Sequence, residues 1–531
     1  MIDLTVARIA ELVGGTLADI SPAEAAATQV TGTVEFDSRA ITAGGLFLAL
    51  PGARSDGHDF AAAAIRSGAA AVLAARPVGV PAIVVPPAPA ADAQAGVLEY
   101  DTDGSGAAVL AALAKLAAAV AAELVAGGLR IIGITGSSGK TSTKDLIAAV
   151  LRPLGEVVAP PGSFNNELGH PWTVLRATRD TDFLVLEMSA RHPGNIAALA
   201  RIAPPSIAVV LNVGTAHLGE FGSREVIAQT KAELVQAVPP SGVVVLNVDD
   251  SVVAAMAGQT SGRVVAVGTA PTTRARDEAG EEAGNRVWAR TADIRAEDVV
   301  LDELARPRFT LSRASERVVV QLAVHGEHQV GNALCAAAVA LECGATMEQV
   351  AGALAVAAPA SRHRMEVRTR PDGVTVINDA YNANPDSMRA GLQALAAMAR
   401  PGREGAAPSG SSARRSWAVL GEMAELGEDS ITEHDRIGRL AVRLDIRRLV
   451  VVGTGRPMSA MHHGAVMEGS WDSESVLVPD AEAALELLRA ELAAGDVVLV
   501  KASNSAGLGA LAEKLVADRP AAGLEAEDET R

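Results

Sequence analysis

Aromatic side chains make up only 2% of this 531-residue chain, with four tryptophans and two tyrosines. Its cores must therefore be packed mainly with the Ala, Val, Leu and Ile behind a 49% hydrophobic composition. Positive charge is in deficit, 46 Lys and Arg against 63 Asp and Glu. The net charge of −17 creates a field that repels polyanions. Nucleic acid is thereby excluded as an expected partner. Only two cysteines occur, Cys335 and Cys343, in one predicted Ala-rich helix. Their spacing suits neither zinc nor a disulfide framework, and a reducing compartment fits. The opening MIDLTVARIAELVGG lacks a basic stretch followed by a continuous apolar run, so no signal peptide is read. The most membrane-like stretch, 105–128, is interrupted by Lys115 and Glu123 and dominated by alanine. A soluble packing helix is expected there, hence a cytoplasmic protein with no stable membrane insertion.

What is present is a repeated strand and helix pattern long enough for two to four domains. Residues 1–104 alternate short β-branched runs (29-QVTGTVEFDSR-39, 45-GLFLAL-50, 71-AVLAA-75, 81-PAIVV-85) with Ala-rich helical stretches. Residues 105–358 carry 131-IIGIT-135, 183-FLVLE-187, 207-IAVVLNV-213 and 243-VVVLNVD-249, the near-continuous apolar runs of a parallel sheet buried on both faces. Residues 359–531 repeat the pattern with 374-VTVIND-379, 417-WAVLGE-422, 448-RLVVVG-453 and 497-VVLVKA-502. Functional groups of such sheets gather at the carboxyl ends of strands. Residues 402–416 read as low-complexity linker and 519–531 as a polar tail, neither with an assigned role.

The stretch 131-IIGITGSSGKTSTKDLIAAVL-151 runs from a buried strand through small residues into a helix. The strict phosphate-loop spacing wants a glycine where this chain has Ile134. The remaining parts suffice: Gly136 and Gly139 let N–H groups converge on phosphate oxygens, Lys140 supplies a cation, and Thr141 offers a hydroxyl to Mg²⁺. The alternative is a chance Gly-Lys-Thr turn. Glu187 and His217 follow consecutive predicted strands and are candidate further ligands, although each alone could be a surface cap or a loop histidine. A phosphate-loop switch or motor would carry the same loop.

These residues resemble the ATP-dependent Mur ligases. The match includes T-G-S-S-G-K-T (135–141), N-N-E-L-G-H-P (165–171), E-M-S-A (187–190), N-V-G-T-A-H-L (212–218), H-Q-V-G-N (328–332), S-R-H-R-M-E (361–366) and D-A-Y-N-A-N-P-D-S-M (379–388), in the family's order. The resemblance implies an α/β protein of three domains. These are a small UDP-binding domain, a central phosphate-loop ATPase domain with a mostly parallel sheet, and a C-terminal Rossmann-like domain. Y-N-A-N-P-D-S-M together with V-L-G-E-M-A-E-L-G (419–427) is similar to the member that adds D-alanyl-D-alanine to a UDP-N-acetylmuramoyl-tripeptide. The sister adding the third amino acid shares the N-terminal pattern but carries a D-N-P-R-type motif absent here. A sister ligase or a folylpolyglutamate synthetase-like ligase remains the alternative. The implied chemistry activates a carboxylate as an acyl-phosphate with ATP, and an amine then displaces phosphate.

By the same resemblance, Thr135, Gly136, Ser137, Ser138, Gly139, Lys140 and Thr141 hold ATP phosphates, with Asn332 at adenine and Arg364 and Asp379 at phosphate and ribose. Thr141 and Glu187 are expected on one Mg²⁺. His217 and Lys231, the latter as a carbamate, are expected on a second. Asn165 and Asn166 should face the reacting carboxylate, and Tyr381, Asn382 and Asn384 the incoming dipeptide. Ser38, Arg39, Asp56, Gly57 and His58 resemble the UDP-binding elements, although Asp56-Gly57 could be a tight turn and both asparagines turn residues around Pro385. A monomer is expected. Two departures stand out: Gln329 where the family commonly has Asn, and 501-KASN-504 where it often has K-G-S-R, which rules out a guanidinium at Asn504.

Overall fold

A computed structural model describes residues 1–87, 98–214, 218–269, 292–400, 414–470 and 474–518. The expected linker ends earlier than its composition suggests, since Ser416 already opens the strand Ser416–Leu420. Residues 402–413 and the tail 519–531 lie outside the described residues.

The N-terminal run 29–39 does not form one strand. Gln29–Val30 pairs antiparallel with Leu4–Thr5, and Val34–Glu35 joins a separate five-stranded sheet. Gly32 divides them because the chain there presses on Gly45. A β-carbon at Gly32 would lie 2.5 Å from the Ala43 carbonyl oxygen. The strands Gly45–Leu48, Ala69–Ala74 and Ala82–Val84 are parallel neighbours in this sheet.

Helix Ser105–Ala126 is long and apolar enough to cross a membrane, but 56% of its most apolar stretch is buried inside the fold. It packs on helix Val6–Val13, helix Gly169–Val174 and helix Asn195–Ile202. Lys115 donates to the Val13 carbonyl at 3.3 Å, and Glu123 pairs with Arg179. The charges that interrupt the apolar run thus tie the helix to its neighbours. One apolar core runs from the N-terminal sheet through this helix to the central sheet, with no break at residue 104.

The central sheet has nine strands. Arg130–Thr135 lies between Phe183–Glu187 and Ile207–Val210, all parallel. Val243–Asn247, Arg263–Thr269 and Ile294–Leu301 extend it in the same sense, and Pro307–Arg313 and Glu316–Gln321 close it with antiparallel pairs. The strands Arg130–Thr135, Phe183–Glu187, Ile207–Val210 and Val243–Asn247 are buried on both faces, one against the core just described and the other against helices Lys140–Leu151, Gln329–Glu342 and Met347–Val356. This double covering explains the unbroken apolar runs. The C-terminal sheet orders Glu366–Thr369, Thr375–Asn378, Val497–Lys501, Ser416–Leu420, Arg448–Val452 and Ser475–Val478, parallel except for the first pair.

Buried polar contacts tie the last two sheets together. Lys144 donates to the carbonyls of Pro160 at 2.5 Å and Gly162 at 3.1 Å. Its neighbour Asp145 accepts from the Ser361 N–H at 3.0 Å, and Ser361 Oγ accepts from the Gly162 N–H at 3.0 Å. Just beyond this junction, His363 (φ 58°) and Met365 (φ 50°) adopt left-handed backbone on either side of Arg364. Each such residue costs about 1–2 kcal/mol. The turn they make directs Arg364 back over the central domain.

His170 and His434 are buried as neutral imidazoles, and His328 lines the cavity between the domains. Desolvation pushes His170 and His328 from the usual 6.5 down to about 4, and it lowers His434 as well. His434 Nε2 accepts the Met423 N–H at 2.9 Å, so its proton sits on Nδ1 facing the Ser430 carbonyl. The unfolded chain takes up protons below 6.5 that the fold refuses. Stability should therefore fall as pH drops from 6.5 toward 4, by on the order of 3 kcal/mol for the buried His170. Urea melts across this range should show the loss, and His170→Leu should flatten it. An unchanged slope in that variant would mean that His170 titrates freely in the fold.

Candidate active site

The phosphate loop follows the central strand Arg130–Thr135. Gly139 takes φ +82° to turn the chain into helix Lys140–Leu151, and a β-carbon there would meet Asn332 Oδ1 at 2.8 Å. Gly136 is equally constrained, since a β-carbon would lie 2.9 Å from Leu211 Cβ. Ile134, at the position where a longer loop would have its first glycine, is buried in the sheet. Asn212 at the end of the next strand braces the loop: its Oδ1 accepts from the N–H groups of Ser137 and Ser138 at 2.9 Å each, and its Nδ2 donates to the Ser138 carbonyl at 3.2 Å. Lys140 donates to the Gly136 carbonyl at 2.7 Å. Burial pulls its ammonium down to about 8, with Glu187 opposing and Arg364 adding to the shift.

Thr141 and Glu187 meet beside the loop. Thr141 Oγ1 donates to Glu187 Oε2 at 3.2 Å, and Ser163 Oγ donates to the same oxygen at 3.1 Å. Glu187 Oε1 is buried and has no hydrogen-bond donor among the described residues. A buried carboxylate oxygen left without a donor next to a threonine hydroxyl fits a hard cation such as Mg²⁺. Among the described residues no three His, Cys, Asp or Glu side chains cluster. That agrees with an ion which takes much of its coordination from phosphate and water. His217 lies outside the described residues. Lys231, on helix Arg224–Gln236, points inward and is buried with Thr230, Ile227 and Leu234. Burial first, and Lys140 second, hold its amine well below the usual lysine range.

The C-terminal domain reaches into the same place. Arg364 Nη2 donates to Thr141 Oγ1 at 3.3 Å, and its guanidinium carbon stacks 4.1 Å over the Tyr381 ring. Asp379 extends from strand Thr375–Asn378, and its Oδ1 accepts the Met365 N–H at 3.0 Å. Asn384 caps helix Pro385–Ala399 by accepting the Ser387 N–H at 2.9 Å, and Asn382 Oδ1 accepts from the Ala383 N–H at 2.9 Å. On the central side, Asn332 donates to Gln329 Oε1 at 2.9 Å, so the longer Gln329 amide reaches its neighbour. A cavity of about 770 Å³ between the domains is lined by Ser137 to Thr141, Asn165, Asn166, Asn332, Arg364, Asp379, Tyr381, Asn382 and Asn384. Asn166 Oδ1 also accepts from the Gly169 N–H at 2.9 Å.

The N-terminal candidates do not line this cavity. Arg39 is highly exposed and pairs with Asp37. Asp56 accepts the His58 N–H at 3.0 Å and pairs with Arg76 at 2.6 Å. His58 is buried: Nδ1 lies 2.6 Å from Asp56 Oδ1, and Nε2 accepts the Ala75 N–H at 3.0 Å. A β-carbon at Gly57 would strike the Leu50 backbone at 2.6 Å. Asp56 and Gly57 thus stand in a tight turn, and both His58 nitrogens are occupied within the fold. Thr135 sits fully buried beneath the loop.

Three family models match the chain in order: the Mur ligase family catalytic domain over 32–120, the Mur ligase middle domain over 134–340, and the Mur ligase glutamate ligase domain over 363–504. The chain belongs to the Mur ligase family. The UDP-N-acetylmuramoyl-tripeptide--D-alanyl-D-alanine ligase of Mycobacterium tuberculosis is 72% identical over 98% of both chains, and that of Escherichia coli K12 is 31% identical over 85% of this chain and 86% of its own. Among solved structures, MurF from Acinetobacter baumannii has a TM-score of 0.76 at 27% identity and covers 97% of this chain and 99% of its own. MurF ligase from Thermotoga maritima in complex with ADP has a TM-score of 0.68 at 27% identity and covers 92% and 97%.

Several residues shaping this family site carried no assigned role from sequence. Asn212 braces the loop from within a recognised motif, and Ser163 donates to Glu187 from the loop before the Asn165 pair. The only signal for either was its place just beyond a strand end or beside a motif. For the loop itself, Gly139→Ala should weaken ADP binding roughly tenfold, because a left-handed alanine costs about 1–2 kcal/mol and the new methyl meets Asn332. Titration calorimetry with ADP on the folded variant checks this; wild-type affinity would refute the geometry.

Proposed function

We propose that this chain joins D-alanyl-D-alanine to UDP-N-acetylmuramoyl-tripeptide with ATP, giving the pentapeptide precursor of peptidoglycan. The observation that carries the reading is the single cavity in which the phosphate loop faces Tyr381, Asn382 and Asn384 from another domain. A loop that only drove a switch would not need an acceptor-sized space opposite the phosphates. The resemblance to ligases of that name over almost the whole chain supports the choice of substrates.

A carboxylate is a poor acyl donor. The tripeptide's terminal carboxylate oxygen attacks the γ-phosphorus, forming an O–P bond as ADP leaves. The dipeptide amine then attacks the acyl carbon, forming the amide as the C–O bond to phosphate breaks and the amine loses a proton. Lys140 and Arg364 place positive charge on the transferring oxygens. Asn165 and Asn166 offer amides to the tripeptide end, Asn332 serves adenine, and Tyr381, Asn382 and Asn384 orient the dipeptide. Ser38 and Arg39 sit on the exposed turn assigned to the UDP end. Thr141 and Glu187 would hold one Mg²⁺ and His217 would help hold a second, ions that would neutralise charge on the phosphate oxygens when bound. Residues 1–104, 105–358 and 359–531 act as the UDP, ATP and acceptor domains. One copy supplies every group, so a monomer suffices, and we place the reaction in the cytoplasm, in wall formation that serves growth and division.

Lys231 extends this reading. Its buried amine, held toward the neutral form, is the state that adds CO₂, and the resulting carbamate would convert a cation beside Lys140 into an anionic oxygen ligand for a second Mg²⁺. Lys231→Ala should lose activity and regain part of it with acetate, a short carboxylate. Normal turnover of that variant in CO₂-depleted buffer would remove the carbamate from the account. The function itself is tested by mass analysis of products from ATP, D-Ala-D-Ala and UDP-tripeptides ending in lysine or diaminopimelate. ADP and phosphate should appear only when all three substrates are present, with one dipeptide added. ATP hydrolysis without an amide product would favour a switch, and addition of a single amino acid a sister ligase.

A further inference from the structure

The end of strand Val497–Lys501 places a lysine in the cavity wall with 2% exposure. Its position follows from register: Asn378 pairs with Val500 in parallel, and the Asp379 N–H donates to the Val500 carbonyl at 2.9 Å, so Asp379 and Lys501 leave adjacent strand ends side by side. Lys501 Nζ donates to Asp379 Oδ2 at 2.5 Å and to the Asn382 carbonyl at 3.0 Å, with the Asp379 carbonyl at 3.5 Å. The three donors of one ammonium thus face three oxygens of the 379–382 turn. Asp379 spends its other oxygen on the Met365 N–H, next to Arg364. His328, from the central domain, lies close enough to feel the charges of both Asp379 and Lys501.

We infer that Lys501 is a positioning residue that locks the nucleotide-side carboxylate Asp379 and the acceptor-side turn Tyr381–Asn384 into one rigid unit. This rests on the ligase reading above. A buried lysine is an expensive way to fill space, since desolvating an ammonium must be offset by a partner and further hydrogen bonds. Filling the space alone would need only an apolar residue. What the ammonium adds is a fixed geometry: it holds the Asn382 carbonyl against the same carboxylate whose far oxygen fixes the strained turn bearing Arg364. Nucleotide contact on one side and dipeptide contact on the other therefore share a single anchor. The neutral Asn504 nearby places no guanidinium on this side of the cavity, which leaves acceptor orientation more dependent on the turn itself.

The test compares wild type, Lys501→Met, and the charge-neutral pair Lys501→Met with Asp379→Asn, using melting temperature and a separate KM for each substrate. Wild-type product formation is measured first, so that failure of the ligase reading is seen independently of the variants. Lys501→Met is expected to raise KM for D-Ala-D-Ala roughly tenfold, as loss of charged hydrogen bonds would, and KM for ATP to a lesser degree, while KM for the UDP-tripeptide stays within about twofold. The neutral pair should recover the melting temperature but not the acceptor KM. If Lys501→Met is too unstable to assay, the neutral pair alone decides. Wild-type acceptor KM in either folded variant would reduce Lys501 to charge balance and overturn the inference, as would an equal rise in all three KM values.

Discussion

One hydroxyl stands between two domains and two opposite charges. Thr141 Oγ1 donates to Glu187 on the central sheet and accepts from Arg364 of the C-terminal domain. It can do both because a hydroxyl has one proton and two lone pairs. The phosphate loop, the carboxylate suited to a cation and the guanidinium from the far domain are thereby set around one point. The loop alone is a half-site. Arg364 arrives only because the Ser361 junction is tied to Asp145 and Gly162, and because left-handed backbone on both sides of it turns the chain back. Strain of this kind persists only where surrounding contacts overdetermine the conformation, and the buried Asp379 contact to Met365 is one of them.

Both sheets deliver their chemistry by the same geometry. Strands buried on both faces can carry polar side chains only at their ends, and in a parallel sheet those ends lie on one edge. Thr135, Glu187 and Asn212 end or follow neighbouring central strands, while Asp379 and Lys501 do so in the C-terminal sheet. The two edges face each other across the cavity. The side chains at these strand ends therefore inherit their positions from strand register, and an apolar substitution deep in either sheet acts on them only by shifting that register.

The same logic explains what was legible in the sequence. Continuous apolar runs gave eight of the central and C-terminal strands to within a few residues, since double burial leaves no other composition open to them. The strands Ile294–Leu301, Pro307–Arg313 and Glu316–Gln321 escaped notice because they pair antiparallel with one another, carry exposed positions and are interrupted by charge. The β-branched run 29–39 holds two short strands in different sheets, divided by a contact distant in sequence, the pressing of Gly32 on Gly45. Motif residues near the loop were readable because phosphate chemistry restricts their type. Lys501 and Asn212 were not, because their roles depend on which strand ends become neighbours, and strand order is written nowhere in a local pattern. For Asp56 and His58, the motif marked a position whose side chains turn out to be engaged with each other and with Arg76 and Ala75.

The charge distribution resolves an apparent conflict. Nucleotide and UDP-peptide substrates are anionic, yet the chain carries −17 overall. At physiological ionic strength charges are screened beyond about 8 Å, so the distant acidic surface contributes little inside a cleft. Under the proposed reading, an entering phosphate would meet Lys140 and Arg364, both hydrogen-bonded to the loop. Burial makes Lys140 hold its proton less firmly than an exposed lysine would. An arriving phosphate restores that proton's stability by supplying the missing counter-charge. The loop is thus electrostatically incomplete by itself, and the acidic exterior keeps other polyanions away without weakening the site that needs one.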